Sequence, residues 1–445
     1  MHCHILGVCG TFMGGLAAWC VAEGWTVTGS DHAVYPPMSD QLRGLGITLS
    51  EGSDLTQLQP RPDLVVIGNA LSRGHPVVEA VLDQGIPFLS GPALWGQLTR
   101  DRIVLAVSGT HGKTTTSSLL AHILDVAGLN PGFLIGGVPL NFGVSARQGT
   151  GPVVVEADEY DTAFFDKRSK FLHYHPDVFG INNLEFDHAD IFPDLAAIER
   201  QFQHGLRVVP GRGHVVARTQ EAAIERVLAA GCWSTLVPVG METDYQFAID
   251  GDVICDLRTG QRVGWVMRGQ HNAANAELAV AMAVAAGVAR ATAFTALGSF
   301  QGVARRLNCL GVAGEVTVWD DFAHHPTAIA LTLAAVREVA GPAPVTAVIE
   351  LRSNTMKAGV HAEALPGAVQ LADVVHWVVP EAAPLLATSL ADQSRQRHVW
   401  HDLEALISRL SDASAGHLVF MSNGGFGGIQ ERVFNNLKSA QHSGL

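Results

Sequence analysis

Lysine is scarce in this chain. Only five occur among 445 residues (Lys113, Lys167, Lys170, Lys357 and Lys438), the other 24 basic residues being arginine. A lysine at a structured position is therefore worth attention. Charged residues make up only 16% and the net charge is −13, which argues against nucleic acid as a partner. It says nothing against a small anion held by a few local donors. The six cysteines include no C-x-x-C pair and no dense framework, so reduced thiols in a cytoplasm are expected. Long apolar runs are also lacking: the longest helix-like stretch, 278–289, has 12 residues before Arg290, too few to span a bilayer. The opening "MHCHILGVCG" has no basic leader followed by an unbroken apolar segment, so no signal peptide and no membrane partner are expected. Nor does "MHCH" suggest a metal site, because no second cluster completes a ligand set.

What is present is a repeated alternation. Hydrophobic residues form 47% of a chain long enough for about three domains. Short apolar strands alternate with glycine turns and helical stretches, first in "HILGV", "TVTGSD", "DLVVIGNA" and "IPFLSG". A second series runs through 103–107, 152–158 and 176–183 and closes on the helical "NAANAELAVAMAVAAGV". A third begins with "EVTVWDDFAHHP" and continues through "PVTAVIEL", "ADVVHWVV" and "HLVFMSNGG". This pattern predicts an α/β protein of three tandem domains with mainly parallel sheets: 1–100, 101–307 and 308–445.

The stretch "VLAVSGTHGKTTTSSLL" carries the first chemical signal. A glycine-bearing turn between a strand and a helix forms an anion nest from backbone N–H groups, reinforced by the helix dipole. Gly109, Thr110, His111, Gly112, Lys113, Thr114 and Thr115 are its members. Lys113 would set a point charge on phosphates and Thr114 would offer a hydroxyl to Mg2+. The glycine six residues before the lysine in the common phosphate loop is Val107 here. A second strand ends in Glu156, Asp158, Glu159 and Asp161, as a metal-holding strand end would, although four acids also read as a solvated loop. "NNLEFDHADIF" places His188 beside Asp187 after a third strand. Strand ends on one edge of a parallel sheet converge on one crevice.

Two other loops have the same position in their domains. In "GVCGTFMGG", Gly7, Gly10 and Gly14 offer a nest, with Asp31 after the next strand placed to meet a ribose or base. "NALSRGHP" adds Ser72 and His75 as weaker candidates. In "LRSNTMK", Arg352 could clamp a carboxylate in a planar fork, while Ser353, Asn354 and Thr355 supply neutral donors. An NAD-dependent dehydrogenase would account for paired α/β units but leaves the Lys113 loop without a purpose.

The set "GTHGKTTT", "EADEYD", "NNLEFDH", "GQHNAANA", "FQGVARR" and "DDFAHHPT" resembles, in order and spacing, the ATP-dependent muramyl ligases of peptidoglycan. The resemblance runs nearly end to end, and it explains the missing glycine, since that family's loop is G-T-x-G-K-T/S. It implies a Rossmann-like N-terminal domain, a P-loop ATPase-like central domain and a Rossmann-like C-terminal domain. It also implies ATP and Mg2+ as cofactors, with Lys113, Glu156 and His188 at the catalytic centre. Thr114, Glu156 and His188 would be the metal ligands. Asn272 and Asn275 would lie on the adenine side, Arg306 would reach ATP phosphate and Asp321 the ribose. The first domain would hold the uridine diphosphate of UDP-N-acetylmuramate. "EADEYDTAFFDKRSKFLHY", "ELRSNTMKAG" and "MSNGGFGGI" look like the member that adds the tripeptide L-alanyl-γ-D-glutamyl-meso-diaminopimelate. The member adding L-alanine is the alternative.

Overall fold

The computed structural model describes residues 1–34, 38–189, 191–380, 390 and 396–443. The chain forms two compact units, one of Met1–Glu185, Ala196–Val266 and Ala274–Gly302, the other of Phe186–Leu195, Met267–Ala273 and Val303–Leu445.

The first unit contains two large sheets, parallel throughout except for the antiparallel β7–β8 pair at one edge. In the N-terminal one, β1 (His2–Leu6), β2 (Thr26–Asp31), β3 (Thr48–Glu51), β4 (Leu64–Ile67) and β5 (Phe88–Ser90) lie in the order β3-β2-β1-β4-β5. The order reverses direction between β1 and β4, which puts a crevice beyond their carboxyl ends. The central sheet is built from β6 (Val104–Ser108), β7 (Gly132–Leu134), β8 (Ala146–Arg147), β9 (Val153–Glu156), β12 (Val178–Ile181), β13 (His214–Ala217) and β14 (Thr235–Pro238). Between β9 and β12 the chain makes the hairpin β10 (Asp161–Ala163) and β11 (Asp166–Ser169). The sheet order β14-β13-β12-β6-β9-β7-β8 makes β9 and β12 the two neighbours of β6. All five residues of β6 are buried, as expected of a strand covered on both faces. The three strands expected in this region are present, none extending over the full length of its apolar run.

Small residues let the helices Thr11–Ala22 and Gly91–Leu98 of the N-terminal sheet pack closely against the central part of this unit. Gly15 lies under Leu134, Gly132 under Trp19, and Gly96 under the His173 carbonyl, and a Cβ at any of these would overlap its neighbour. Trp19 meets Trp95 edge-on with centroids 4.5 Å apart. An antiparallel sheet of β15 (Phe247–Asp250), β16 (Val253–Asp256) and β17 (Arg262–Gly264) completes the unit. These strands are an addition to the expected elements, short and partly exposed, with too few apolar residues to stand out in the sequence.

The second unit carries β18 (Asn308–Ala313), β19 (Glu315–Asp321), β20 (Val345–Glu350), β21 (Val374–Val378), β22 (Arg397–Trp400) and β23 (Ala415–Met421). Their order is β18-β19-β23-β20-β21-β22, with only the β18–β19 pair antiparallel. One face buries Ile329, Leu333 and Trp377; the other buries Leu406, Phe420 and Val433. Among the described residues, no helix is long and apolar enough to cross a membrane.

Candidate active site

The helix Lys113–Val126 starts directly after the glycine loop, with Gly112 as its N-cap at φ +79 and Gly109 at φ +130. Both angles favour glycine. The loop is braced from β12 and beyond. Thr110 N–H donates to the Asn183 carbonyl (3.1 Å), and His111 N–H to Asn183 Oδ1 (2.7 Å). Asn182 and Asn183 return bonds to the His111 carbonyl at 3.2 and 3.0 Å. Asn275, buried, accepts from Asn182 Nδ2 (2.7 Å) and Thr116 Oγ1 (3.3 Å). Its carboxamide oxygen is thus engaged with the loop's own scaffold. Thr114 and Thr115 sit buried in the first helical turn.

Around Lys113 the charge is dense. Its Nζ donates to the Gly109 carbonyl at 2.7 Å and the Thr110 carbonyl at 3.4 Å. Asp158 Oδ1 and Glu159 Oε2 each lie 3.5 Å from it. Glu156, the last residue of β9, accepts from Gly136 N–H (2.9 Å). The hydroxyl of buried Tyr174 is raised well above its ordinary value by burial, with the charges of Asp158 and Glu156 adding. His111 Nε2 stands 3.5 Å from Glu185 Oε2. Glu156, Lys113 and the asparagine pair therefore come from the carboxyl ends of neighbouring β9, β6 and β12, on one edge of the sheet. A cavity of about 1090 Å³ lies at the opposite ends of these strands, lined in part by Arg100, His173, His175, Asp177 and His214. It contains none of the expected site residues.

In the N-terminal sheet, Gly7 follows β1 at φ +80 and donates to the Ser30 carbonyl (2.7 Å). Gly10 caps the helix Thr11–Ala22, and Gly14 lies against the Met38 thioether and the Val8 carbonyl, so that a side chain there would require Met38 to move. Asp31, at the end of β2, accepts from Cys9 N–H (2.9 Å) and from His32 N–H (2.7 Å). Ser72 is exposed in the loop after β4, and its carbonyl accepts from His75 N–H. His75 caps the helix Pro76–Asp83, and its buried Nδ1 has no hydrogen-bond partner among the described residues.

The remaining expected residues belong to the second unit. His188 takes φ +58, and its N–H donates to Asp187 Oδ1 (2.7 Å). Burial raises the Asp187 carboxyl, but His188, His324 and His325 outweigh it and hold it below the ordinary carboxylate range. Asn272, buried, donates to the Arg268 carbonyl (2.7 Å), four residues earlier. The Arg306 guanidinium lies 4.6 Å from the Phe322 ring centre. Asp321 accepts from the N–H groups of Leu307 (2.6 Å) and Ala323 (2.7 Å) and from the Thr332 hydroxyl (3.1 Å). It braces the chain's entry into the third sheet. Arg352 follows β20, exposed, with its guanidinium against Gly424 in the loop after neighbouring β23. Ser353 Oγ accepts from Met356 N–H (3.3 Å), and Thr355 is buried. Asn354 opens the short helix Asn354–Lys357; its side chain lies outside the described residues.

Asn182, Asn183 and Lys170 join this site without having stood out in the sequence. For the two asparagines a signal was available, a pair of amides directly after a buried strand.

Three family models match in succession: the Mur ligase family catalytic domain over 2–102, the Mur ligase middle domain over 107–283, and the Mur ligase glutamate ligase domain over 305–424. The UDP-N-acetylmuramate–L-alanyl-γ-D-glutamyl-meso-2,6-diaminoheptandioate ligase of Escherichia coli (strain K12) is 49% identical over 449 residues, covering 98% of each chain. A UDP-N-acetylmuramate–L-alanine ligase from Roseiflexus (strain RS-1) is 37% identical over 76% of each. The crystal structure of a murein peptide ligase from Psychrobacter arcticus 273-4 matches with a TM-score of 0.77 and 41% identity, covering 98% of this chain and 99% of that one.

Proposed function

The chain belongs to the Mur ligase family, and from that premise we propose that it joins UDP-N-acetylmuramate to the tripeptide L-alanyl-γ-D-glutamyl-meso-diaminopimelate, driven by ATP, in peptidoglycan recycling. The observation that carries this reading is the end-to-end identity with the E. coli ligase of that specificity. The L-alanine-adding ligase, at 37% identity over 76% of the chain in the Roseiflexus relative, is the alternative.

The chemistry is an amide synthesis in two steps. A muramate carboxylate oxygen attacks the γ-phosphorus, the bond to the bridging oxygen breaks, and ADP leaves. The peptide's amine nitrogen then attacks the acyl carbon, the C–O bond to phosphate breaks, and the nitrogen gives up a proton. The first step brings two anions together, so fixed positive charge at their meeting point is the central requirement. Lys113 supplies it, at the N-terminus of a helix whose first-turn amides have no partner within the helix. The residues at the ends of β6 and β9 fit a hard cation, since Thr114 and Glu156 offer only oxygen. Mg2+ held there would screen the phosphate charge. His188 is proposed as a further metal ligand on family grounds alone, because histidine is an unusual partner for magnesium. We assign the loop after β1, with Asp31, to the uridine diphosphate, and Arg352 to a carboxylate of the tripeptide. Arg352 suits the last task because a guanidinium meets a carboxylate in two parallel bonds.

Phosphate release in the presence of ATP, Mg2+ and UDP-N-acetylmuramate, with tripeptide or free L-alanine as acceptor, tests the reading. The tripeptide should have a much larger kcat/KM. If L-alanine is the better acceptor, the alternative replaces it.

A further inference from the structure

Two of the five lysines meet at one carboxylate. Lys113 lies 3.5 Å from Asp158 Oδ1, and Lys170 Nζ donates to Asp158 Oδ2 at 3.1 Å. Neither is a surface pair. The side chains of Lys113 and Lys170 are only 12% and 14% exposed.

Lys170 is built into place. It follows the hairpin β10–β11, whose Ser169 Oγ donates to the Glu159 carbonyl (2.7 Å). Its own backbone N–H donates to the Tyr160 carbonyl (3.0 Å), so the hairpin is tied along the acidic loop. The ammonium then lies near two aromatic faces, 5.6 Å from the Tyr160 ring centre and 5.7 Å from that of Phe12. A cation so seated keeps its position without a long flexible search.

The arrangement poses a problem and contains its solution. To serve phosphates, Lys113 has to turn away from Asp158, and a partly buried carboxylate deprived of its cation is costly. With no second cation, Asp158 would compete with the phosphates for Lys113. Because the two lysines occupy different oxygens, one can leave while the other stays.

We propose that Lys170 is a positioning residue for the nucleotide: it keeps Asp158 neutralised through Oδ2 and so releases Lys113 from Oδ1 to the phosphates. The proposal rests on reading the loop 109–115 as the nucleotide site.

Calorimetric titration with ADP and with a non-hydrolysable ATP analogue tests it, on wild type, Lys170→Met, Lys170→Arg and the double variant Lys170→Met/Asp158→Asn. Lys170→Met should weaken nucleotide binding about tenfold, more than the loss of an exposed ion pair and less than the loss of a fully buried one. UDP-N-acetylmuramate should bind as in wild type, which a general folding defect would not allow. Lys170→Arg should stay near wild type. The double variant should recover most of the lost affinity, because the competing charge is gone. Wild-type affinity in Lys170→Met, or a double variant as weak as Lys170→Met, overturns the proposal. A wild type that binds no adenine nucleotide overturns the premise, and the proposal with it.

Discussion

The loop after β1 and the loop after β6 occupy the same place in their sheets, yet they are built differently. Each leaves a central strand through a glycine in the left-handed region and runs into a helix. The central loop is held by side chains brought from far along the chain, Asn182, Asn183 and Asn275, and it carries a lysine facing two acids. The N-terminal loop has no charged side chain between Gly7 and Gly15, and its bracing comes from backbone bonds to Ser30 and one carboxylate, Asp31. Their strands differ too. β6 is wholly apolar but for Ser108, whereas β1 buries His4 in a chain of polar contacts. The difference fits two tasks. Holding a diphosphate that does not react needs N–H donors and a close approach, while transferring a phosphoryl group needs a cation fixed where charge shifts.

The largest effect should come from removing that cation. Lys113→Ala is expected to lower turnover about 10²-fold or more, since one lost donor at a developing charge costs several kcal/mol in the transition state. Folding should survive with some loss of stability, because Asp158 keeps Lys170 as a cation while Glu159 loses its ion pair with Lys113. Steady-state rates alongside a melting curve decide it, and a variant with half the wild-type activity would remove Lys113 from the chemistry.

The second effect concerns β1 and appears with pH. The His2 imidazole donates to Thr28 Oγ1, Thr28 donates to His4 Nδ1 (2.8 Å), and His4 Nε2 donates to Gln57 Oε1 (3.2 Å). Burial pushes the His4 imidazole from 6.5 down to about 4, with His2 adding and the Gln57 bond opposing. The unfolded chain therefore binds the proton first as the solution is acidified. Stability from this group is complete above about pH 6.5 and is lost as pH falls toward 4, by about 3 kcal/mol at most. Denaturant unfolding at the two ends of that window should show His4→Gln losing less stability on acidification than wild type. Equal losses would mean that His4 titrates normally.

These two regions also show what sequence alone can reach. The loop after β6 is legible because its parts are contiguous: a buried strand, two glycines, a lysine and a helix follow one another over a dozen residues. The alignment of β9 and β12 beside it followed from the regular logic of parallel sheets. The bracing of the loop was not legible. Asn275 reaches Thr116 across 159 residues, and nothing in "GQHNAANA" distinguishes an amide that caps, binds ligand or props another loop. Lys170 was hidden for a different reason. Its meeting with Asp158 depends on a hairpin whose register shifts between Asp161 and Ala163, an irregularity that no periodicity encodes. Asp321 belongs to the same class, since its three local partners appear only once β19 and its following loop are folded.

A third prediction examines the bracing itself. Asn275→Ala leaves the Asn182 amide and the Thr116 hydroxyl without their shared acceptor inside the fold. A buried polar group stripped of its partner costs about 1–3 kcal/mol. Unfolding measurements should show a loss on that scale, accompanied by weaker ATP binding and unaltered affinity for UDP-N-acetylmuramate. If both ligands weaken together, the two loops are not independent and the contrast between them fails.

The smallest effect should fall on the loop after β1. Asp31 accepts from Cys9 N–H and so fixes the turn that presents the glycine amides. Replacing it with asparagine keeps an acceptor oxygen of nearly the same shape but removes the charge. A hydrogen bond to a charged group contributes about 1.5–3 kcal/mol and one to a neutral group about 0.5–1.5 kcal/mol. The difference, about 1 kcal/mol, corresponds to a several-fold rise in KM for UDP-N-acetylmuramate. ATP kinetics should stay at wild-type values, because the Lys113 loop takes its bracing from β12 and the helix bearing Asn275. A nest that relies on backbone geometry tolerates such a change, whereas a site that relies on a placed charge does not. Should Asp31→Asn abolish turnover as Lys113→Ala is expected to, the N-terminal loop would need a charged partner after all, and the carboxylate itself would be making contact with the substrate.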